Sequence, residues 1–332
     1  MKKLIGFSVL FSMIVIFMGA YTRLSDAGLS CPDWPNCYGY ATVTGAMQHS
    51  QEIATVFPER ALEPSKAWLE MIHRYVAGAL GGMILMLVVW YWYESGRRYG
   101  RPLLLLGLLS IQVLLGKLTV TLQLMPLVVM GHLLGGFSIL SVLWLWFISK
   151  KSWHQDAYHK PLRRLLLLGQ VSLGLLIVQI ALGGWMAANY AALACTELPI
   201  CEGDWWQRLN FKGALTGFLG AEGNYEFGVL DYSSRMTIHV VHRFGAVLAS
   251  LTMLCFIYIL LKHTSANILR RGAWVMLALL VAQVLLGLGN VLLHVPVTIA
   301  VAHNLMAALL LLSCIFLVFV LSQYSYKGVA HG

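Results

Sequence analysis

Charge is scarce in this sequence, and acidic charge most of all. Asp and Glu together number 14 in 332 residues, and all charged residues make up 11%. An ordinary soluble domain carries about 25% charged residues, so that class is excluded. The six cysteines include no tight Cys-x-x-Cys pair, which argues against a thiol oxidoreductase of the common kind. No Arg-rich, Ser-rich transit segment precedes the first apolar run, so a bacterial plasma membrane is expected rather than an organelle.

What fills the chain instead is apolar: 59% of its residues. Eight runs reach the roughly 20 residues needed to cross a bilayer, near 4–22, 67–93, 102–121, 125–149, 163–187, 235–261, 271–293 and 296–322. Backbone polar groups in lipid must be satisfied within their own segment, so each run is expected to be a helix. The expected fold is an all-α integral membrane protein with eight transmembrane helices. Met1-Lys2-Lys3 followed by an apolar run resembles a signal peptide, but run 1 has a counterpart in run 5 and is expected to stay.

The net charge of +9 raises nucleic acid as a partner, and the placement of the charge excludes it. With a cytoplasmic N-terminus, 14 of the 23 Lys and Arg fall on the inner side, among them Arg97, Arg98, Arg101, Lys160, Arg270 and Arg271. That is the positive-inside bias. The long segments 23–66 and 188–234 then face outward and hold four of the six cysteines. Both termini are expected in the cytoplasm.

The chain repeats itself in its landmarks. Gly19-Ala20 matches Gly183-Gly184, and Cys31 and Cys37 match Cys195 and Cys201, at an offset of 164. His73-Arg74 matches His242-Arg243 at 169; Leu115-Gly116 matches Leu286-Gly287, and His132 matches His303, at 171. Two tandem four-helix halves are expected, 1–150 and 151–332, related by a pseudo-twofold axis along the membrane normal.

Ionisable side chains inside such runs are costly and point to function. His73, His132, His242 and His303 each lie about six residues into their runs, roughly 9 Å below the outer surface. Each alone would read as a hydrogen-bonded packing residue. Four at one depth, two per half, two followed by Arg, read as paired axial ligands of haem in bundle cores. Zinc or copper fits less well, because no carboxylate-rich cluster joins them. Gly78, Gly81, Gly82, Gly131, Gly135, Gly136 and Gly245 leave room for a flat ring. Arg74 and Arg243 are placed to pair with propionates.

The halves differ beside the first of these histidines. Glu70 shares a helix face with His73, and His239 occupies the matching place. A carboxylate there can act as a general base or steady a developing cation. The first half is therefore the candidate for chemistry and the second for a resident cofactor. Cys31–Cys37 and Cys195–Cys201 are expected to form local disulfides in an oxidising compartment; a redox role and a structural one both stay open. Cys255 and Cys314 read as small apolar fillers. Trp205, Trp206, Glu222, Tyr225, Glu226 and Asp231 read as a cap over the outer ends. His49, His154, His159, His263, His294 and His331 receive no role.

The stretch from Thr22 to Pro35, with Ser25-Asp26-Ala27-Gly28-Leu29-Ser30-Cys31-Pro32-Asp33-Trp34-Pro35, together with Glu70-Met71-Ile72-His73-Arg74, His242-Arg243 and His303, resembles the haem A synthase family, over nearly the whole chain. Asn304 departs from the apolar residue expected after His303. The resemblance implies an oxidoreductase that converts the C8 methyl of haem O to a formyl group by successive hydroxylations, giving haem A for cytochrome oxidase. It implies a haem b cofactor on His242 and His303, and substrate haem O between His73 and His132 with Glu70 beside the reacting centre. It also implies partnership with the haem O-forming enzyme and oxidase assembly factors; a homo-oligomer stays open. From the residues alone, the competing readings are a di-haem quinol electron carrier, a haem carrier or chaperone, and a disulfide-generating quinone reductase.

Overall fold

The structure is a computed structural model that describes residues 1–94, 100–151, 153, 162–216 and 223–327. Arg97, Arg98, His154, His159, Lys160, Glu222 and His331, named above, lie outside the described residues. The spans are α1 (Lys2–Leu24), α4 (Pro64–Glu94), α5 (Gly100–Thr121), α6 (Pro126–Ile148), α7 (Leu162–Ala188), α9 (Tyr232–His263), α10 (Asn267–Leu292) and α11 (Val297–Lys327). Three short helices lie in the long outer segments: α2 (Val43–Gln48), α3 (Ser50–Val56) and α8 (Phe211–Thr216). Among the described residues, eight helices are long and apolar enough to cross a membrane. The chain is an all-α multi-pass membrane protein. Many of its outward side chains, such as Phe7, Leu10, Leu114 and Val247, are large, apolar and exposed, as lipid-facing positions require.

The helices pack as two rings. In the first, α1 meets α4, α4 meets α5, α5 meets α6 and α6 returns to α1. In the second, α7 meets α9, α9 meets α10, α10 meets α11 and α11 returns to α7. Between the rings, α1 packs on α11, α6 on α7, and α6 on α11. This order is consistent with two equivalent halves. One contiguous apolar core runs through both rings, and α11 is the most buried span.

The turns repeat as well. Four helices end with an N–H reaching back five residues: Ala27 to Thr22 O (3.0 Å), Ala191 to Met186 O (3.0 Å), Leu124 to Thr119 O and Val295 to Asn290 O (both 2.8 Å). This bond closes a helix whose chain turns through the left-handed region, which glycine usually serves. Here Asp26, Tyr190, Leu124 and Val295 adopt φ of 48°, 52°, 61° and 60°. Pro126 follows at the start of α6, where its fixed φ suits the first helical turn. His132 and His303 therefore sit six residues past the first residue of α6 and α11.

The expected helix starts need a correction for the other pair. α4 starts at Pro64 and α9 at Tyr232, so His73 and His242 lie nine and ten residues in. Polar residues such as Ser65, Lys66, Ser233 and Ser234 extend these helices outward, beyond the apolar run. Cys314 is buried, as a filler should be, whereas Cys255 is exposed on the outer face of its helix.

Polar contacts join the rings. Trp144 Nε1 donates to Leu312 O at 2.9 Å, and Arg23 Nη2 to Ala187 O at 2.9 Å. In the outer segments, Arg60 pairs with Glu226 at 2.9 Å, and the Tyr225 N–H reaches Gln123 O at 3.1 Å. Hydrogen bonds inside membrane proteins contribute about 0.6 kcal/mol on average and up to about 1.7. Trp144→Phe keeps the ring and removes the donor; equilibrium unfolding in detergent should show a loss of about 1 kcal/mol, and an unchanged midpoint would show that the bond contributes nothing.

Candidate haem-ligating site

Each of the four histidines lies against a glycine on a neighbouring helix. A Cβ added at Gly116 would sit 3.2 Å from Cε1 of His132; at Gly183, 3.2 Å from Cε1 of His242; at Gly287, 3.2 Å from Cε1 of His303. At Gly19 it would lie 2.9 Å from Cε1 of His73. The glycine landmarks are thus the places where backbones leave room for imidazoles. In the first half the two rings face each other edge to face, with centroids 6.5 Å apart. Metal–imidazole bonds run about 2 Å, so this separation can take one metal ion between the two rings.

Glutamines complete three of the four corners. Gln179 Nε2 lies 3.0 Å from His242 Nδ1 and donates to the His242 carbonyl at 3.0 Å. Gln283 Nε2 lies 3.2 Å from His303 Nε2. Gln112 Nε2 donates to the His132 carbonyl at 2.8 Å. The sequence reading missed these residues, although Gln112, Gln179 and Gln283 each stand four before the landmark glycine.

The arginines turn away from the rings and hold the cysteine loops. Arg74 Nη1 donates to the carbonyls of Asp33 (2.9 Å), Pro35 (3.1 Å) and Asn36 (2.6 Å). Arg243 donates to the carbonyls of Cys195 and Glu197, both at 2.7 Å, and of Pro199. Propionate pairing, expected above for Arg74 and Arg243, would have to share these guanidinium groups with the loops. Both disulfides are formed, Cys31–Cys37 and Cys195–Cys201. Sequence spacing could not place them near the histidines; Arg74 and Arg243, each one residue past a histidine, do so.

Glu70 is buried at 4% exposure, pairs with Arg74 at 2.5 Å and accepts the Cys31 N–H at 2.9 Å. It therefore joins the span of His73 to the disulfide. His239, its counterpart, is buried at 3% exposure with Nδ1 unpartnered. The two loops are stiffened by carboxylates at opposite ends. Asp33 accepts the N–H groups of Tyr38 (2.6 Å) and Gly39 (2.8 Å). Glu202 accepts those of Thr196 (2.8 Å) and Glu197 (3.1 Å) and the Thr196 hydroxyl, which chiefly holds its carboxyl down to about 2. Of the outer aromatic set, Tyr225 is buried, Trp205 packs near the second disulfide and Trp206 is 72% exposed.

Among the described residues, no three His, Cys, Asp or Glu side chains gather as a metal site. Two imidazoles per half, with Nδ1 of His73, His132 and His303 buried and unpartnered, suit the axial positions of an iron whose other ligands come from a macrocycle. The donor set fits haem.

Residues 2–315 match the family described as cytochrome oxidase assembly protein, COX15-CtaA. The chain is 46% identical over 316 residues to a protein of Shewanella oneidensis named heme A synthase, covering 94% of each chain. Proteins of the same name from Neorickettsia sennetsu and Methylobacterium nodulans are 24% and 27% identical, over 92% and 90% of this chain and 94% and 85% of theirs. The chain belongs to the COX15-CtaA family of cytochrome oxidase assembly proteins.

Proposed function

We infer that this protein is a haem A synthase that oxidises the C8 methyl group of haem O to a formyl group in the membrane, supplying haem A to cytochrome oxidase. The observation that carries this reading is the pair of imidazoles 6.5 Å apart beside a buried glutamate, in a chain 46% identical to a heme A synthase. Converting methyl to formyl removes four electrons. Two successive hydroxylations leave an aldehyde hydrate, and loss of water gives the product.

The two halves divide the work. In 1–150, His73 and His132 hold substrate haem O by its iron. Glu70, drawn toward Arg74 and the Cys31 N–H, lies on the same helix as His73 and is the group that takes a proton or steadies positive charge as the methyl group is oxidised. In 151–332, His242 and His303 hold haem b. When bound, haem b supplies a one-electron centre that can draw electrons from the reaction. Gly184, next to Gly183, lies close to Met130 and Leu133, two residues before and one after His132, which supports a path between the halves along the α6–α7 contact. Arg74 and Arg243 fix the loops over each site, and any pairing with propionates would share guanidinium groups already engaged by loop carbonyls. The cysteine loops face the periplasm and both termini the cytoplasm, in the bacterial inner membrane. The haem O-forming enzyme hands over the substrate, and oxidase assembly factors take the product.

The quinol-carrier reading lacks a use for Glu70, which is present in one half only. A carrier or chaperone would not need four buried imidazoles in two differing sites.

His303→Ala should abolish the low-spin haem b signal in a reduced-minus-oxidised spectrum, and stoichiometric retention would sink the cofactor assignment. Glu70→Gln keeps an acceptor for the Cys31 N–H and removes the charge. Haem b content should hold while turnover of haem O, followed by haem chromatography, falls at least about 100-fold; full turnover would remove Glu70 from the mechanism. A thiol introduced as Lys262→Cys should react with an impermeant maleimide only after the inner face is opened, and labelling of intact cells would invert the topology.

A further inference from the structure

Three glutamines stand one helical turn before three of the four landmark glycines, and the fourth place holds a different residue. Gln112 precedes Gly116, Gln179 precedes Gly183 and Gln283 precedes Gly287, each by four residues. At that spacing glutamine and glycine share a helix face. The glycine admits the imidazole, and the amide beside it grips the same histidine. Gln179 touches both the ring and the carbonyl of His242, Gln283 touches the ring of His303, and Gln112 holds the carbonyl of His132. Four residues before Gly19 stands Val15. Its side chain carries no polar atom and packs half-buried against the core, so no amide stands beside His73 at this place; the ring's Nδ1 is buried without a partner, as it also is in His132 and His303.

All three glutamines share a second property. Their Oε1 atoms are buried and unpartnered. A neutral imidazole that binds metal through one nitrogen carries N–H on the other, and an acceptor for that N–H fixes the ring and raises its basicity. Each amide can donate through Nε2 and accept through Oε1, so the glutamines suit both the empty and the metal-bound imidazole. Loss of such an outer partner typically weakens metal affinity 10- to 100-fold.

Resting on the haem reading above, we propose that Gln112, Gln179 and Gln283 are positioning residues that latch His132, His242 and His303, and that Val15 leaves His73 unlatched as the ligand released when substrate haem enters and product haem leaves. The second half has both latches and keeps its haem. The first half has one, on His132, and exchanges its haem on the His73 side. The missing latch lies at the same α1–α4 corner where Glu70 replaces the second half's His239. Both differences between the halves thus fall beside His73. A substrate site must let go once per turnover, and a cofactor site need not.

The test measures haem release from the full-length protein in detergent into excess apomyoglobin, followed by absorbance. Wild-type protein should lose haem O or haem A faster than haem b. Val15→Gln should slow release from the first half about fivefold, the effect of roughly one net hydrogen bond, and leave haem b release unchanged. Val15→Leu fills the position without an amide and should release as wild type does. Gln283→Leu should speed haem b release by at least about fivefold while the low-spin spectrum persists. Unchanged release in Val15→Gln, or equal slowing in Val15→Leu, overturns the latch while leaving the haem assignment intact. Wild-type protein without any low-spin haem overturns the haem assignment itself, and with it the latch.

Discussion

An imidazole can come this close to a helix only where that helix has given up its side chain. Four such approaches, Gly19 to His73, Gly116 to His132, Gly183 to His242 and Gly287 to His303, are made between α1 and α4, α5 and α6, α7 and α9, and α10 and α11. These helix pairs are four of the eight sides of the two rings. In lipid there is little hydrophobic drive to bring helices together, so close approach at small residues decides how they pack. The contact that makes space for an imidazole thereby also sets the distance between the two helices that meet there. A methyl group at Gly19 would meet Cε1 of His73 at 2.9 Å and force a shift; at Gly116, Gly183 and Gly287 it would meet the ring at 3.2 Å, a contact that closes only if the imidazole gives by a few tenths of an ångström.

The architecture was legible in the sequence because a bilayer allows so few alternatives. Length and apolarity alone yielded eight spans within a few residues of those observed. The repeat marked Gly19, Gly116, Gly183 and Gly287 only as landmarks, while room beside the histidines was expected at other glycines, among them Gly78 and Gly82, whose surroundings hold no imidazole. Helix starts were less legible: Pro64 and Tyr232 open their helices outside the apolar zone, so hydropathy placed His73 and His242 too near the ends. The glutamines were missed because an amide in an apolar run carries no signal until the helix facing it is known. The arginine clamps were missed for a related reason. Residues about 40 apart in the chain, such as Arg74 and Asp33, meet only through a loop whose path no periodicity records.

The outer loops add rigidity where the bundle opens to water. Arg74 and Glu70 bind the first disulfide loop to the helix of His73, and Arg243 binds the second to the helix of His242. A carboxylate braces each loop, Asp33 from its start and Glu202 from just past its end. The same need is met from different positions, so this part of the two halves is held to a shape rather than to a residue. Between the loops, Arg60 and Glu226 tie one outer segment to the other.

The contact between the rings has a reciprocal form: α1 touches α11 as α7 touches α6, with α6 and α11 meeting at the centre. A surface of that kind is self-complementary, so two copies of one four-helix chain would make it without any change of sequence. Such a chain would form a symmetric homodimer with two identical sets of imidazoles and glycines. Joining two such copies into one polypeptide lifts the requirement that they stay alike. A substitution at the Val15 or Glu70 position then changes one half alone and leaves the other as it was.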